Sequence, residues 1–310
     1  MIQYFKVAGQ ELVPASSLAE AFWVHFDAPD AEEIDSAVAR YGLPQDFFTD
    51  LQDVDKPSRL EVKGAARLII LRVPLYSSHK ADGASFSSVP LGIIVIPNQL
   101  ITVSFYDKEI LAQLLEGKHR PFNITQQSFT LTIALRISIY YLKYLKEINR
   151  RTQNIENELH ESMRNKELIR MLNMDKALVY FDTALKSNQL TLESMQSSSW
   201  LQADPDSADL IEDVIINNKQ GIEMADISSN ILSGMMDALA SIISNNLNVV
   251  MKFLTSVTII LAVPTLIASI YGMNVRLPLQ GHPYAFWGFM GISVGLSLIL
   301  VFIFIRKKYF

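Results

Sequence analysis

Small and hydroxylated side chains recur at helical spacing along an otherwise apolar stretch near the C-terminus. Steps of three or four residues define one such face, which reads Asn248, Met251, Thr255, Thr258, Ala262, Thr265 and Ser269. A single Thr in a membrane helix commonly bonds back to a helix carbonyl or allows close helix packing. A whole stripe, with no counterpart in the next apolar segment, indicates a surface that faces water. Two helices cannot enclose a water-filled path, so a pore lined by this stripe requires assembly around a symmetry axis.

Two apolar segments must position the stripe. Residues 253–271 and 285–305 contain no Asp, Glu, Lys, Arg or His, although charged residues make up 19% of the chain. Each segment has about twenty residues and, at about 1.5 Å of rise per residue, crosses a hydrocarbon core of about 30 Å. A pair of buried core helices is the alternative, but core helices of this length nearly always carry a polar face. The sequence therefore predicts two membrane spans that interact with the lipid bilayer.

The basic residues that flank these segments predict their orientation. Lys252 precedes the first segment and Arg306, Lys307 and Lys308 follow the second, whereas the connecting loop offers Arg276 and His282. Positive charge favours the cytoplasmic side, so both termini are predicted to be cytoplasmic, with the chain in the cell (inner) membrane. The N-terminal residues show no signal-peptide pattern. The absence of Cys excludes a disulfide framework and thiolate metal sites, and the net charge of -5 argues against nucleic acid as a partner.

Three parts are predicted along the chain. Residues 1–120 form a cytoplasmic α/β domain with strands at 21–26, 60–62, 66–74, 91–96 and 100–105 and a helix over 31–41 capped by Asp30. Residues 121–252 form a long helical stalk or arm, because apolar residues recur at helical spacing with few Gly or Pro. Residues 253–310 form the transmembrane hairpin. The last stalk helix is predicted to begin near Asp206 and to enter the first span without a break. An α/β domain followed by a helical stalk and two transmembrane helices is an α+β fold class.

The first span ends in Tyr271-Gly272-Met273-Asn274, with Pro264 ten residues before the Asn. In this position, ahead of a second span and a basic tail, the motif resembles that of the CorA-type (CorA/ZntB) divalent metal ion transporters, and the resemblance covers the whole domain order. It implies a funnel-shaped homopentamer in which one stalk helix per subunit converges on a single pore. It also implies conduction of hydrated Mg²⁺, with Co²⁺ or Ni²⁺ as secondary ions.

The same resemblance implies roles for individual residues. Five copies of Asn274 would hydrogen-bond the hydration shell of Mg²⁺ without dehydrating the ion, since Mg²⁺ sheds water reluctantly. Gly272 would let the backbone leave the helix tightly, and Met273 would pack beneath the ring of amides. The implied pore-lining positions are Asn248, Met251, Leu254, Thr255, Thr258, Ala262 and Thr265, of which Met251 and Leu254 form an apolar constriction.

The loop after the motif departs from the CorA pattern, because it contains Arg276 and no acidic residue. Five copies of that arginine near the entrance would oppose a dication. The ZntB branch, implicated in zinc transport, also lacks an acidic loop, and His282 is a possible soft contact for Zn²⁺. A lone loop histidine is more often simply solvated. Zn²⁺ transport is therefore the alternative to Mg²⁺ transport.

Acidic residues gather where the last stalk helix is predicted to begin: Asp204, Asp206, Asp209, Glu212 and Asp213. Such residues suit a helix N-terminus by capping its amides and complementing its dipole. The resemblance implies, in addition, a regulatory Mg²⁺ site between subunits at Asp213, to which Asp209 and Glu212 are close in sequence. A partner carboxylate is required from the first domain, and the candidates are Asp46, Asp50, Asp53 and Asp107.

Two other classes of function remain open on the sequence alone. A membrane-anchored scaffold or receptor would bind partners through the helical arms, would show no ion flux and would be indifferent to changes at Asn274. An enzyme tethered by the hairpin would need an acid and base pair in residues 1–120, and the sequence shows no such pair. The prediction is therefore a transporter and not an enzyme.

Overall fold

The computed structural model describes residues 1–9, 11–77, 85–106, 124–161, 165–275, 281–307 and 309. The chain divides into two compact units, Met1–Gly234 and Met235–Phe310. The predicted boundary near residue 120 lies outside the described residues, and the division into three parts stays a prediction. The α/β sheet, the long helix and the two apolar helices confirm the predicted fold class.

A seven-stranded mixed sheet forms the centre of the N-terminal unit. Its strands are β1 (Ile2–Ala8), β2 (Glu11–Pro14), β3 (Trp23–Asp27), β4 (Arg59–Lys63), β5 (Ala66–Ser77), β6 (Ser85–Ile96) and β7 (Gln99–Ser104). The spatial order is β2-β1-β3-β7-β6-β5-β4, and all neighbours are antiparallel except β3 and β7. The five predicted strands are present with shifted ends, whereas β1 and β2 were not predicted.

The helices differ widely in length, from four residues to 65. They are α1 (Ala31–Tyr41), α2 (Asp46–Thr49), α3 (Gln126–Glu161), α4 (Asn165–Gln196), α5 (Ser199–Gln202), α6 (Ser207–Tyr271) and α7 (Ala285–Arg306). Asp30 caps α1 as predicted, through a reciprocal capping box with Glu33, and Gly42 ends the helix at a φ of 62°. Helix α6 begins one residue after the predicted start and continues through Pro264.

Helices cover both faces of the sheet. On one face, Phe47, Phe48 and Leu51 pack with apolar residues of α1 and alternate residues of the central strands. On the other face, α3 and α4 contact the sheet, and the ring of Phe129 stands edge-on to the buried Trp23 with centroids 5.0 Å apart. The central strands are therefore buried on both sides, which explains their nearly continuous apolar sequence.

Asn188 fixes α4 to strand β5. Its amide donates to the carbonyl of Arg72 (2.8 Å) and its carbonyl oxygen accepts from the backbone N–H of the same residue (2.8 Å). Strand β4 pairs with β5 only as far as Ile70, so the Asn188 side chain continues the ladder beyond the end of β4. The Arg72 carbonyl also accepts from the Tyr141 hydroxyl (3.2 Å), so side chains of α3 and α4 both bond the backbone of β5 here.

The C-terminal unit consists of the later part of α6 and of α7. Both helices are long and apolar enough to cross a membrane, with mean hydropathy values of 2.2 and 2.5 over their most apolar stretches. Within the described part of the two spans, Ser256 is the one side chain that is fully buried. The apolar surface of this unit therefore faces outward, as expected of helices whose surroundings are lipid or other subunits.

Candidate functional site

The polar stripe lies on the face of α6 that points away from α7. Pro264, Ile267 and Tyr271 line a small cavity of about 150 Å³ together with α7 residues that include Phe286 and Phe289. At about 100° per residue, the centre of the predicted stripe lies about 180° around α6 from these residues. Accordingly, all of the predicted pore-lining positions are exposed: Asn248, Met251, Leu254, Thr255, Thr258, Ala262 and Thr265.

The hydroxyl groups of the stripe are oriented by the helix itself. Thr258 Oγ1 donates to the carbonyl of Leu254 and Thr265 Oγ1 donates to the carbonyl of Leu261, each at 2.8 Å. This is the back-bonding that a membrane threonine commonly makes. Because each hydrogen is used within the helix, the oxygen lone pairs are left to accept hydrogen bonds at the exposed face. The stripe therefore presents hydrogen-bond acceptors, the hydroxyl oxygens of Thr258 and Thr265, at its exposed surface.

An aromatic contact holds the end of the first span. The rings of Tyr271 and Phe289 lie with centroids 3.7 Å apart, which links the last turn of α6 to the first turns of α7. Phe289 was not predicted as a functional residue, because nothing in one sequence distinguishes it from the other aromatic residues at the start of α7. This contact fixes Tyr271, the first residue of the motif, and Gly272, Met273 and Asn274 follow it directly in the chain.

Gly272 ends α6 without a left-handed backbone. Its N–H donates to the carbonyl of Ala268 (2.9 Å), and the glycines with positive φ among the described residues are Gly9, Gly42 and Gly64. A Cβ at Gly272 would lie 3.3 Å from the Ala268 oxygen, closer than side chains normally approach. Glycine is therefore favoured at this position because a Cβ would crowd the Ala268 carbonyl, and not because the backbone has a positive φ. Met273 and Asn274 follow in a bend, and both side chains are exposed.

In the acidic cluster at the start of α6, one residue makes hydrogen bonds that hold the helix start, and the others are exposed. Asp204 accepts hydrogen bonds from Thr125 Oγ1 (2.8 Å) and Ser207 Oγ (2.9 Å), which fixes the start of α6. Asp209, Glu212 and Asp213 are exposed, and within the described residues of one chain no three His, Cys, Asp or Glu side chains converge on a possible metal position. A site between subunits needs groups from a second copy.

The first-domain carboxylates that could pair with Asp213 differ in the ion pairs and hydrogen bonds that they already make within the chain. Asp50 is paired with Lys56 (3.0 Å) and with Arg59, and Asp46 lies 3.8 Å from Lys63. Asp53 accepts the backbone N–H of Asp55. Asp107 lies outside the described residues, as do Arg276 of the loop and Lys308 of the basic tail. Asp50, with two ion pairs, is therefore the most engaged of the three described candidates.

The comparisons with known proteins decide the family. A model of the family described as "CorA-like Mg2+ transporter protein" matches residues 19–307. The chain belongs to the CorA family. It is 27% identical over 298 residues to the "Cobalt/magnesium transport protein CorA" of Methanocaldococcus jannaschii, a match that covers 92% of this chain and 90% of that protein.

Solved structures agree with a CorA fold along the full chain. The complete structure of the CorA magnesium transporter from Methanocaldococcus jannaschii is similar with a TM-score of 0.84 at 25% identity, covering 100% of this chain and 99% of that chain. The full-length CmaX protein shows the same fold with a TM-score of 0.74 at 16% identity, covering 99% and 97% of the respective chains. The predicted resemblance is thereby confirmed.

Membership of the CorA family assigns the general activity. CorA proteins are membrane transporters of divalent cations and not enzymes, so this chain is a divalent-cation transporter, as predicted. The two apolar helices of the C-terminal unit agree with a location in a membrane.

Proposed function

We propose that this CorA-family chain conducts hydrated Mg²⁺, with Co²⁺ and Ni²⁺ as secondary ions, through a homopentameric pore lined by the stripe on α6. The observation that carries the proposal is the position of the stripe, which is exposed on the face opposite α7 and ends at the exposed Asn274. Relatives described as cobalt/magnesium transport proteins support the choice of ions.

The exposed stripe supports a pore on a symmetry axis. Hydroxyl groups that faced lipid would have no partners for their lone pairs, whereas copies of α6 arranged around an axis would turn them toward a shared aqueous path. Met251 and Leu254, which are 59% and 58% exposed, lie on the same side of α6 and would form the apolar constriction. The pore-lining positions from Asn248 to Thr265 would then follow one another along the conduction path.

The hydrogen-bond polarity of the stripe suits a hydrated dication. Water bound to a cation points its hydrogens outward, and Thr258 and Thr265 present acceptor oxygens to such hydrogens. Asn274 would supply amide oxygens at the mouth, held in place by the Tyr271 contact with Phe289 and by the tight turn at Gly272. Mg²⁺ retains its waters at little cost in such a site, because no carboxylate competes for the inner sphere.

The remaining features of the proposal follow from the basic flanks and the acidic helix start. Both termini would be cytoplasmic in the cell (inner) membrane, with residues 1–120, 121–252 and 253–310 as the α/β domain, the stalk and the hairpin. Arg306 and Lys307 end the second span, and Lys252 lies at the cytoplasmic end of the first. A regulatory Mg²⁺ would bind between subunits at Asp213, with Asp209 and Glu212 nearby, and would favour the closed state.

Zn²⁺ transport is the second candidate, because His282 is exposed in the loop between the spans and could contact a softer ion. Purified protein in sealed vesicles, loaded separately with each ion and tested with and without a pH gradient, distinguishes the candidates. We expect Mg²⁺ uptake that does not need a proton gradient and that exceeds Zn²⁺ uptake. Proton-dependent Zn²⁺ uptake with little Mg²⁺ uptake would favour the second candidate, and no flux of any ion would favour a scaffold. Protein-free vesicles are the control.

A further inference from the structure

An open groove of about 760 Å³ lies in the N-terminal unit between α3 and the paired ends of β5 and β6. Aromatic rings form one side of it. The ring centroids of Tyr76 and Phe86 are 5.1 Å apart, and those of Phe86 and Tyr144 are 5.7 Å apart. Ile139 of α3 is 38% exposed and also lines the groove. The groove therefore offers flat apolar surface to a ligand.

Two arginines at the edge of the groove are held in fixed positions by one carboxylate. Arg151 donates to Glu147 Oε1 (2.7 Å) and to the Tyr76 hydroxyl (3.0 Å), and its guanidinium lies 5.3 Å from the centroids of both Tyr76 and Phe86. Arg150 donates to both oxygens of Glu147, each at 3.0 Å. Hydrogen bonds from Arg150 and Arg151 lower the pKa of Glu147 to about 2, so this carboxylate stays ionised.

Positive charge exceeds negative charge along this groove. Lys143 and Lys146 also line it, and neither contacts a carboxylate in the part of the chain that the structure describes. Among the described residues that line the groove, four are cations and one, Glu147, is a carboxylate, a local excess of three positive charges in a chain whose net charge is -5. The cations lie within about 12 Å along the helix axis, at about 1.5 Å per residue. An anion of small size, rather than an extended chain, matches this distribution.

We propose that the groove binds a nucleoside polyphosphate, with its base against the aromatic side and its phosphates beside Lys143, Lys146 and Arg150. Three observations support this class of ligand. The volume lies within the range of about 300 to 1,000 Å³ that is usual for small-molecule sites. Tyr76 and Tyr144 offer rings for stacking. Lysine and arginine side chains form charge-assisted hydrogen bonds with phosphate. The inference concerns a site outside the proposed conduction path and does not depend on the transported ion.

Equilibrium dialysis of the full-length chain in detergent, with labelled ATP in the presence of EDTA, tests the proposal. We expect saturable binding with a dissociation constant below about 1 mM, which corresponds to about 4 kcal/mol. Adenosine alone and tripolyphosphate alone should each bind at least about tenfold more weakly, because each lacks half of the contacts. These two arms separate recognition of the base from simple attraction of an anion.

Variants locate the binding. Lys143→Gln/Lys146→Gln should weaken ATP binding by about tenfold or more, since both positions lose a charged phosphate contact. The matched control is Lys176→Gln, which removes a charge from an exposed position on α4 that does not line the groove and should change binding less than about twofold. Absence of saturable ATP binding, equal affinity for tripolyphosphate, or an equal loss in the control variant would each overturn the proposal. All of these measurements are made without ion flux.

Discussion

The two compact units of this chain use apolar residues in opposite ways. In Met1–Gly234, Trp23, Phe47 and Phe48 are fully buried between a sheet and the helices on its two faces. In Met235–Phe310, Leu261 and Phe302 are more than 60% exposed, and the described spans bury only Ser256 completely. The same apolar character therefore has a different physical role in each unit, because the first excludes water from its own interior and the second excludes it by facing lipid or other copies.

Polar residues are distributed in the reverse manner. Asn188, Thr102 and His25 are buried in the first unit and satisfied by specific partners within it. The threonines of the stripe are exposed in the second unit, and their oxygens still have acceptor capacity. Substitutions of these buried polar residues should therefore act on stability, whereas substitutions on the stripe should act on transport.

Asn274→Ala should give the largest effect. It should strongly reduce Mg²⁺ uptake and leave folding and assembly unchanged. If each of five amides loses about 0.5 kcal/mol of contact with the hydrated ion, the total of about 2.5 kcal/mol corresponds to a roughly 70-fold lower flux. Uptake of Mg²⁺ into vesicles measures this, with size-exclusion chromatography as the check on assembly. Asn154→Ala, which removes an exposed amide on α3, is the control. Normal uptake by an assembled Asn274→Ala protein would contradict the assignment of the pore mouth.

Gly92→Ala should show how closely the first unit is packed. A Cβ at this position would lie 3.0 Å from Leu51 Cδ2 and 3.2 Å from Leu51 Cγ, and Leu51 is fully buried. Overpacking of this kind destabilises by about 2 kcal/mol. Gly291→Ala in the second unit meets no atom within 4 Å in a single chain and should leave thermal stability unchanged. Thermal unfolding followed by tryptophan fluorescence compares the two. Equal stability of both variants would show that the core accommodates the methyl group.

His25 should make the first unit sensitive to acid. Burial lowers its pKa to about 4, and its Nδ1 lies 3.0 Å from Thr102 Oγ1. Thr102 accepts from Trp23 Nε1 (2.9 Å), so its hydroxyl donates to a neutral imidazole. The unfolded chain takes up this proton near pH 6.5, whereas the folded chain resists it, so stability falls as pH decreases from 6.5 toward 4. Between pH 7 and pH 5 the loss is about 2 kcal/mol.

His25→Gln should reduce that dependence on pH, although the variant is also less stable at pH 7. His282→Gln, at an exposed loop position of the second unit, should leave the pH dependence as it is in the unaltered chain. Thermal unfolding of the three proteins at pH 7 and pH 5 provides the comparison. If His25→Gln retains the full loss of stability at pH 5, another group is responsible for the acid sensitivity.

Asp213→Ala should weaken the response of the first unit to Mg²⁺. If an ion bridges subunits at this carboxylate, removal of the ligand should raise the Mg²⁺ concentration for half-maximal protection against proteolysis about tenfold, a change of about 1.4 kcal/mol. Flux should also become less sensitive to internal Mg²⁺. Asp175→Ala, on α4, is the control for loss of a carboxylate. Full protection in the Asp213→Ala protein would leave this residue as an acid that only complements the helix N-terminus.

Thr265→Val should have the smallest effect and should test the face of the helix. Valine keeps the shape and removes the acceptor oxygen, and a loss of about 1 kcal/mol per assembly corresponds to about fivefold lower flux. Ser297→Ala removes a comparable hydroxyl, bonded to the Ser293 carbonyl at 3.0 Å, from the second span. Flux should be unchanged in that variant. Equal losses from both substitutions would argue against a conduction path on one face of α6.

The sequence by itself determined the elements whose signal is local. Uninterrupted apolar length specifies the two spans, because about twenty such residues match the thickness of a bilayer. The capping box at Asp30 and Glu33 and the glycine at residue 42 specify α1, because these groups satisfy the helix ends without tertiary contacts. The helical spacing of the stripe and the Tyr271-Gly272-Met273-Asn274 motif likewise involve only neighbouring residues, so the family could be predicted from the order of residues alone.

The tertiary structure decided what depends on residues that are distant in sequence. Strand β2 lies at the edge of the sheet and β1 pairs with it. Both were missed because most of their side chains are exposed or half-buried, which weakens the apolar pattern. The contact of Tyr271 with Phe289 and the direction of the stripe away from α7 both depend on how the two spans pack. The groove beside Arg151 depends on the proximity of β5, β6 and α3. Local spacing cannot encode it, because Arg151 is 75 positions from Tyr76 and Tyr144 is about 58 positions from Phe86.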